Sequence, residues 1–510
     1  MNADSAHLHR SFWMESAPAA PLESLPGNQR TDVVVIGAGI TGLTTAYLLA
    51  AAGVRVIVIE EGRICAGTTG FTTGKVTSQH NLFYGAMTKS HGLETAQVYA
   101  HAQQAAIEWI AGTAALDSID CNIRRTTAYV YSESAGREDD LSDELAAALK
   151  CGLPARAAGA DIGLPWEVAA AVAFDNQIAF HPRRYCLGLA DQIVRRGGLL
   201  VESTRAIAVD DSDRDGCIVT TDRGEVQANA VVMATQIPFL NRGLFFARTT
   251  PMRSYALAAP WKSPPDGMYI SVDTPTRSIR SHVDSQGSVL IVGGGGHPTG
   301  REDDTRKQYE ELQEFAAERF RMNAEWQWSA QDYVPADGLP MIGPITSGSS
   351  RIFVATGYAK WGMTNGTVAG MLISDAILGK DNPWRATFDS TRADVPRSLD
   401  TVISQVGETL KSVVGDRIEM LSAGHVEDLL PGKGAIVRVD GHAVAAYRDE
   451  DGSVQAVTAR CTHLGCIVHF NDAERTWDCP CHGSRYTLDG HVIEGPATKD
   501  LTEVAVEPRI

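Results

Sequence analysis

An α/β body followed by a small all-β unit is the fold class this sequence predicts, on three observations. Between residues 31 and 60, an apolar run, a glycine-rich turn, an alanine-rich helix and a second apolar run ending in an acid follow one another. Near the C-terminus, short alternating runs such as Ala435-Ile-Val-Arg-Val and Ala443-Val-Ala-Ala-Tyr are separated by Asp-Gly turns at Asp440 and Asp451, the pattern of half-buried strands. The length of 510 residues fits about three domains at roughly 150 residues each.

Each N-terminal element has a reason. Thr31-Asp-Val-Val-Val-Ile36 reads as a buried parallel strand. Gly37-Ala-Gly39-Ile40-Thr41-Gly42 is the turn, 43–52 an apolar helix and 55–59 a second strand ending at Glu60. The glycines permit a tight turn and close approach of a pyrophosphate, which then faces a helix N-terminus. Glu60 is placed to accept hydrogen bonds from a ribose. The expectation is dinucleotide binding. The same apolar stretch, 33–59, is too interrupted by glycines and by Arg55 to read as a membrane span.

Further segments decide which dinucleotide. Gly67-Thr68-Thr69-Gly-Phe-Thr-Thr73-Gly74-Lys75 resembles the small-residue loop of the D-amino-acid-oxidase superfamily, which runs along the FAD pyrophosphate. Asp337-Gly-Leu-Pro-Met-Ile-Gly-Pro344 resembles that superfamily's C-terminal motif. Val354-Ala-Thr-Gly357-Tyr-Ala-Lys360-Trp361-Gly362-Met363-Thr364 resembles the strand and helix start that close over the flavin. Val231-Val-Met-Ala234-Thr235 matches the strand before an Ala-Thr-Gly turn, although Gln236 replaces the glycine. The resemblance implies an FAD-binding Rossmann-type α/β domain with an inserted α+β substrate domain, followed by the all-β unit. Residues 31–90, 180–245 and 330–385 would bind FAD, 91–179 and 246–329 would form the substrate domain, 386–416 a linker and 417–510 the β unit. Its implied cofactor contacts are Gly37, Gly39, Ile40, Thr41, Gly42, Glu60, Thr68, Thr69, Thr73, Gly74, Lys75, Ala206, Ala234, Thr235, Lys360, Trp361, Gly362, Met363 and Thr364. The 68–75 loop holds neither Cys nor His, and 328–333 holds no Cys. No candidate for covalent flavin attachment is therefore expected.

In the β unit, Cys461-Thr-His463-Leu-Gly-Cys466 and Cys479-Pro-Cys481-His482-Gly-Ser484-Arg-Tyr486 carry two mixed Cys/His pairs. They resemble the Rieske family, in which two thiolates hold one iron of a 2Fe-2S cluster and two imidazoles the other. The ligands would be Cys461, His463, Cys479 and His482. Zinc is the competitor, but its pairs usually take the form Cys-x2-4-Cys or His-x3-5-His. The resemblance is to the high-potential Rieske proteins of quinol-oxidising complexes. It implies a disulfide between Cys466 and Cys481, hydroxyl hydrogen bonds from Ser484 and Tyr486 that raise the potential, and a covering loop at Gly495-Pro496. Without the resemblance, Ser484 and Tyr486 read as ordinary loop residues. His469 and His491 read as surface residues. Cys65, Cys121, Cys151, Cys186 and Cys217 show no metal spacing and read as buried thiols.

A flavin beside such a cluster converts two-electron into one-electron chemistry. The resemblance implies a substrate with a carbon–nitrogen bond, an amine or amino acid, whose α C–H delivers hydride to FAD and leaves an imine for water to hydrolyse. Electrons would leave singly through the cluster to an acceptor protein or a quinone. Lys75, His80, Arg253, Tyr255 and Lys360 are the candidate catalytic residues. Lys75 is a flavin or substrate contact or else a surface lysine. His80 is a base or a structural histidine. Arg253 clamps a substrate carboxylate or makes a structural ion pair, and Tyr255 lies on the same strand. Backbone N–H groups at 362–364 would stabilise negative charge at a helix start. The rival is an NAD(P)H-dependent reductase feeding an oxygenase. It needs a nicotinamide site, and the glycine cluster at 293–296 lacks the apolar helix to form one; it reads as a sheet turn. A non-enzymatic redox sensor has no signalling segment to support it.

A net charge of −17 argues against nucleic acid and anionic membrane surfaces. Residues 1–21 show no secretory signal, and no transmembrane anchor is expected. The expected location is cytoplasmic, where a disulfide is unusual and would depend on its cover.

Overall fold

The structure, a computed structural model, describes residues 9–212, 216–392 and 424–506. Beyond residue 392, the expected 386–416 linker lies outside the described residues. The first body is built on a six-stranded sheet in the order Met341–Pro344, Ile352–Thr356, Ala230–Met233, Val33–Ile36, Val56–Ile59, Leu199–Val201. Neighbours pair in parallel except the Met341–Pro344 edge, which is antiparallel. The central strands are buried throughout, as parallel strands covered on both faces must be.

Alternation along one strand shows the two covers. Val33 and Val35 join the core formed with the helices, whereas Val34 and Ile36 join a second core with Val209, Val219 and Val226. That second layer is a four-stranded sheet of Gln29–Arg30, Gly224–Ala228, Cys217–Thr221 and Ala206–Asp210. On the helical side, Ile40–Ala51 packs against Pro182–Arg195 and Gly362–Ile377. A Cβ at Gly370 would stand 2.5 Å from Thr44 Cγ2, so this glycine lets the two helices close. The helix begins three residues earlier than the sequence suggests, because Ile40, Thr41 and Gly42 form its first turn.

The second body is a nine-stranded mixed sheet. Its path runs Trp326–Pro335, Thr249–Pro260, Gly287–Pro298, Ser278–Asp284, Met268–Ser271, Arg124–Ser132, Ala170–Ala179, Lys75–Val76, with Ala155–Ala158 also pairing to Ala170–Ala179. Both ends correct the sequence reading. Lys75–Val76 and most of Trp326–Pro335 come from segments assigned to the FAD-binding part, yet they hydrogen-bond into this sheet. The glycines at 293–296 lie inside the strand Gly287–Pro298 rather than at a turn.

The third unit carries a three-stranded sheet, Lys433–Val439, His442–Arg448 and Val454–Thr458. A four-stranded one follows, His469–Asn471, Thr476–Asp478, Arg485–Tyr486 and Val492–Glu494. It docks on the second body. Ala473 is buried in the core around Leu290 and Leu312, and Thr305 Oγ1 donates to Asn471 and Asp472 at 2.7 Å. No helix among the described residues is long and apolar enough to cross a membrane.

Candidate functional site: a dinucleotide cavity joined to a cluster site

A cavity of about 780 Å³ opens above the C-terminal ends of the parallel strands, where open α/β sheets bind ligands. Gly37, Gly39, Ile40, Thr41 and Glu60 line one part of it. A Cβ at Gly37 would meet Ala234 O at 2.5 Å, and one at Gly42 would meet Gly37 O at 1.9 Å. The turn therefore requires glycine at both, and Gly42 serves the packing of the turn without lining the cavity. The helix opens at Gly39, which offers no side-chain cap of its own, so its N-terminal turn faces the cavity where an anion would sit. Glu60 accepts backbone N–H groups of Ala38 at 2.8 Å and Gly62 at 2.9 Å; burial pushes its carboxyl up. These features fit the phosphate and ribose of a dinucleotide.

Thr68, Thr69, Thr73, Ala206, Ala234 and Thr235 also face the cavity, and Thr69 Oγ1 accepts the Ile40 N–H at 3.2 Å. Gln236, which stands where a glycine was expected, adopts φ 66°, the left-handed region glycine normally fills. Its side-chain amide compensates by donating to Thr68 Oγ1 at 2.7 Å and to Gln331 O. Gly74 and Thr364 are not part of the cavity lining.

Lys75, Tyr255, Lys360, Trp361, Gly362 and Met363 line the opposite part. Lys75 Nζ donates to Tyr269 O at 2.8 Å and to Ser278 Oγ. Burial, with the Arg280 guanidinium adding to it, pushes its ammonium down to about 7. Burial also lowers Lys360, against the pull of Asp332. Asp332, a wall residue with no sequence signal, is pushed up to about 6 by burial and accepts the Lys360 backbone N–H. Tyr255 Oη lies 3.0 Å from His297 Nε2. Perturbed acids and bases gathered on one cavity lining mark it as the candidate site.

Two candidates belong elsewhere. His80 is outside the cavity wall: Nδ1 meets Tyr99 Oη at 2.9 Å, Nε2 meets Thr77 O at 2.8 Å, and the ring stacks on Trp361 at 4.5 Å. Burial pushes it down to about 3, so it is a neutral support for Trp361 rather than a base. Arg253 is buried against Glu474 and Ser329. It takes the structural ion pair over the substrate clamp.

The cluster site forms at two loops. His463 and His482 lie with ring centroids 5.1 Å apart, and Tyr486 Oη is 3.1 Å from Cys461 Sγ. Burial lowers both imidazoles, to about 4 and about 3, keeping them in the neutral form that binds metal. The Cys479 thiol draws Cys461 down to about 6 against the effect of burial, and the Tyr486 hydroxyl adds to this. His463 Nδ1 is buried without a partner and fits the role of a metal ligand. Cys466 and Cys481 form a disulfide. Three sulfurs, of Cys466, Cys479 and Cys481, crowd within 4.8 Å, but two of them are already bonded to each other. Ser484 Oγ accepts the Ala497 N–H at 3.1 Å.

The two sites share a wall. Ile493, Glu494, Gly495, Ala497 and Thr498 of the β unit line the dinucleotide cavity. Tyr333 Oη lies 3.1 Å from His482 O and 3.3 Å from Gly495 O, and Gln331 Nε2 donates to Gly483 O at 2.8 Å. Glu474 anchors the contact between Arg253 and Arg485; burial alone would push its carboxyl up, but the two guanidiniums hold it well below the usual range.

The family profile described as FAD dependent oxidoreductase matches residues 32–376, and that of the Rieske [2Fe-2S] domain matches 419–505. The chain therefore belongs to the FAD-dependent oxidoreductase family and ends in a Rieske domain, so its cofactors are FAD and a 2Fe-2S cluster. A Bacillus subtilis (strain 168) protein, provisionally named Rieske 2Fe-2S iron-sulfur protein YhfW, is 36% identical over 500 residues, 98% of each chain. The cytochrome b6-f complex iron-sulfur subunit of Chlorobaculum tepidum is 39% identical over 90 residues, 18% of this chain and 49% of that one. Among solved structures, glycine oxidase from Geobacillus kaustophilus superposes with a TM-score of 0.61 at 19% identity, covering 71% of this chain and 99% of its own.

Proposed function

We propose that this protein is a flavin-dependent dehydrogenase that oxidises an amine or amino acid and releases the electrons singly through its Rieske centre. The observation that carries the reading is the shared wall: Gly495 and Ala497 belong to the β unit and line the dinucleotide cavity. FAD supplies a two-electron acceptor and the cluster a one-electron carrier. The protein's own residues do the rest. The turn at Gly37 and Gly39, with the helix at Ile40, would hold the pyrophosphate and Glu60 the ribose. Lys75, about half protonated at pH 7, would hold or take a proton beside the substrate, and Lys360 would stand on the same lining with Asp332 tempering its charge. Glycine oxidase, whose fold this body shares, is named for an amino-acid substrate, which supports the same substrate class here. The glycines at 293–296 form part of a strand on the cavity wall, which gives a nicotinamide site no support.

The test is anaerobic mixing of the purified protein with a panel of amines and amino acids, with NADH alongside, followed by visible absorbance and low-temperature EPR. Flavin bleaching by an amine, with a Rieske signal afterwards, is the expected result. Bleaching by NADH alone would replace this reading with that of a reductase.

A further inference from the structure

We infer that Asn241, a residue of the flavin-binding body, is a positioning residue for the iron–sulfur centre: it holds the His463 imidazole from across the domain contact and so sets the cluster's potential. The inference concerns the cluster alone and does not depend on the substrate. His463 Nε2 lies 2.9 Å from Asn241 Oδ1. An amide oxygen only accepts, so Nε2 carries the proton and Nδ1 keeps its lone pair. Nδ1 is the buried atom without a partner. The contact therefore selects the tautomer that presents Nδ1 to iron.

The neighbouring chain reinforces this. Phe246 stands edge-on to both imidazoles, at 5.0 Å and 82° from His463 and at 4.8 Å and 77° from His482. Between Asn241 and Phe246 the backbone passes through left-handed conformations at Gly243, φ 78°, and Leu244, φ 51°. A leucine held there is local strain, of the kind retained at functional contacts. Upstream, Gln236, Ile237 and Phe239 of the same segment line the FAD cavity. One short stretch of chain thus touches both cofactor sites.

An acceptor on the distal N–H of a metal-bound imidazole raises the ligand's basicity. A more basic ligand favours oxidised iron and lowers the potential. Asn241→Leu removes the acceptor, and Asn241→Asp replaces it with a stronger, charged one. The experiment is a mediated redox titration of the full-length protein and both variants at one pH, without substrate, read by EPR. The leucine variant should titrate higher than the parent and the aspartate variant lower. Each shift should amount to at least about threefold in the ratio of oxidised to reduced cluster, a tenfold change being about 59 mV for one electron. Altered g-values should accompany both. Parental midpoints and line shapes in both variants would overturn the inference, as would two shifts of the same sign, which would mark a packing effect.

Discussion

Lys75 carries a pH dependence that can be tested. Its amine, held by Tyr269 O and Ser278, is pushed down to about 7 by burial and by Arg280. If it takes a proton beside the substrate, kcat/KM rises with pH through about 7. Lys75→Met should flatten that limb and cost on the order of 10²-fold or more. Stability follows with a definite sign. Between pH 7 and the ordinary lysine value of 10.5, the unfolded chain binds a proton that the folded chain does not. The penalty is therefore full below 7 and disappears as pH rises to 10.5. The methionine variant should gain more in Tm at pH 6 than at pH 9, by calorimetry. Tyr486 makes the second residue-level prediction. Its hydroxyl, 3.1 Å from Cys461 Sγ, would stabilise the extra negative charge of the reduced cluster. Tyr486→Phe should lower the midpoint potential; an unchanged midpoint would leave Tyr486 an ordinary loop residue.

The docking of the β unit depends on the loop between His469–Asn471 and Thr476–Asp478. The Glu474 side chain on that loop is buried between Arg253 and Arg485. Glu474→Ala leaves two buried guanidiniums short of a carboxylate, which should cost about 3–5 kcal/mol. The check is thermal denaturation together with faster amide exchange across 469–486. Because Glu474 is held below its ordinary value of 4.5, its stabilisation is present above that pH and is lost as pH falls through the folded value. Docking should therefore loosen in acid, and a Glu474→Ala protein should lack that step. The element scale also shows where sequence stops. Arg253 stood out as a strand arginine, but its partner lies 221 residues away. No spacing rule links the two, so its role waited for the fold.

At the scale of the whole molecule, the legible parts were those whose chemistry is contiguous. The turn from Gly37 to Gly42 and the pairs Cys461/His463 and Cys479/His482 each carry their purpose in a few adjacent residues. Asp332 and Asn241 do not: one is an acid in a strand, the other an asparagine in a loop, and each acquires meaning only through a neighbour brought by another element. His80 stayed open for a related reason. The sequence left it a base or a structural histidine, and Tyr99 and Thr77 occupy both ring nitrogens, which gives the second. The nine-stranded sheet was blurred at its edges because Lys75–Val76 and Trp326–Pro335 each pair with a strand remote in sequence, Ala170–Ala179 and Thr249–Pro260, which local pattern does not assign.

The shared wall between the FAD cavity and the β unit brings the two cofactor sites together, and the proposed route passes electrons between them. His482→Cys tests it most directly. Substrate should bleach the flavin of this variant at the parental rate, while reduction of an artificial one-electron acceptor collapses with the loss of the Rieske EPR signal. Parental turnover with that acceptor, in protein that has lost the cluster, would rule out the cluster as the exit route.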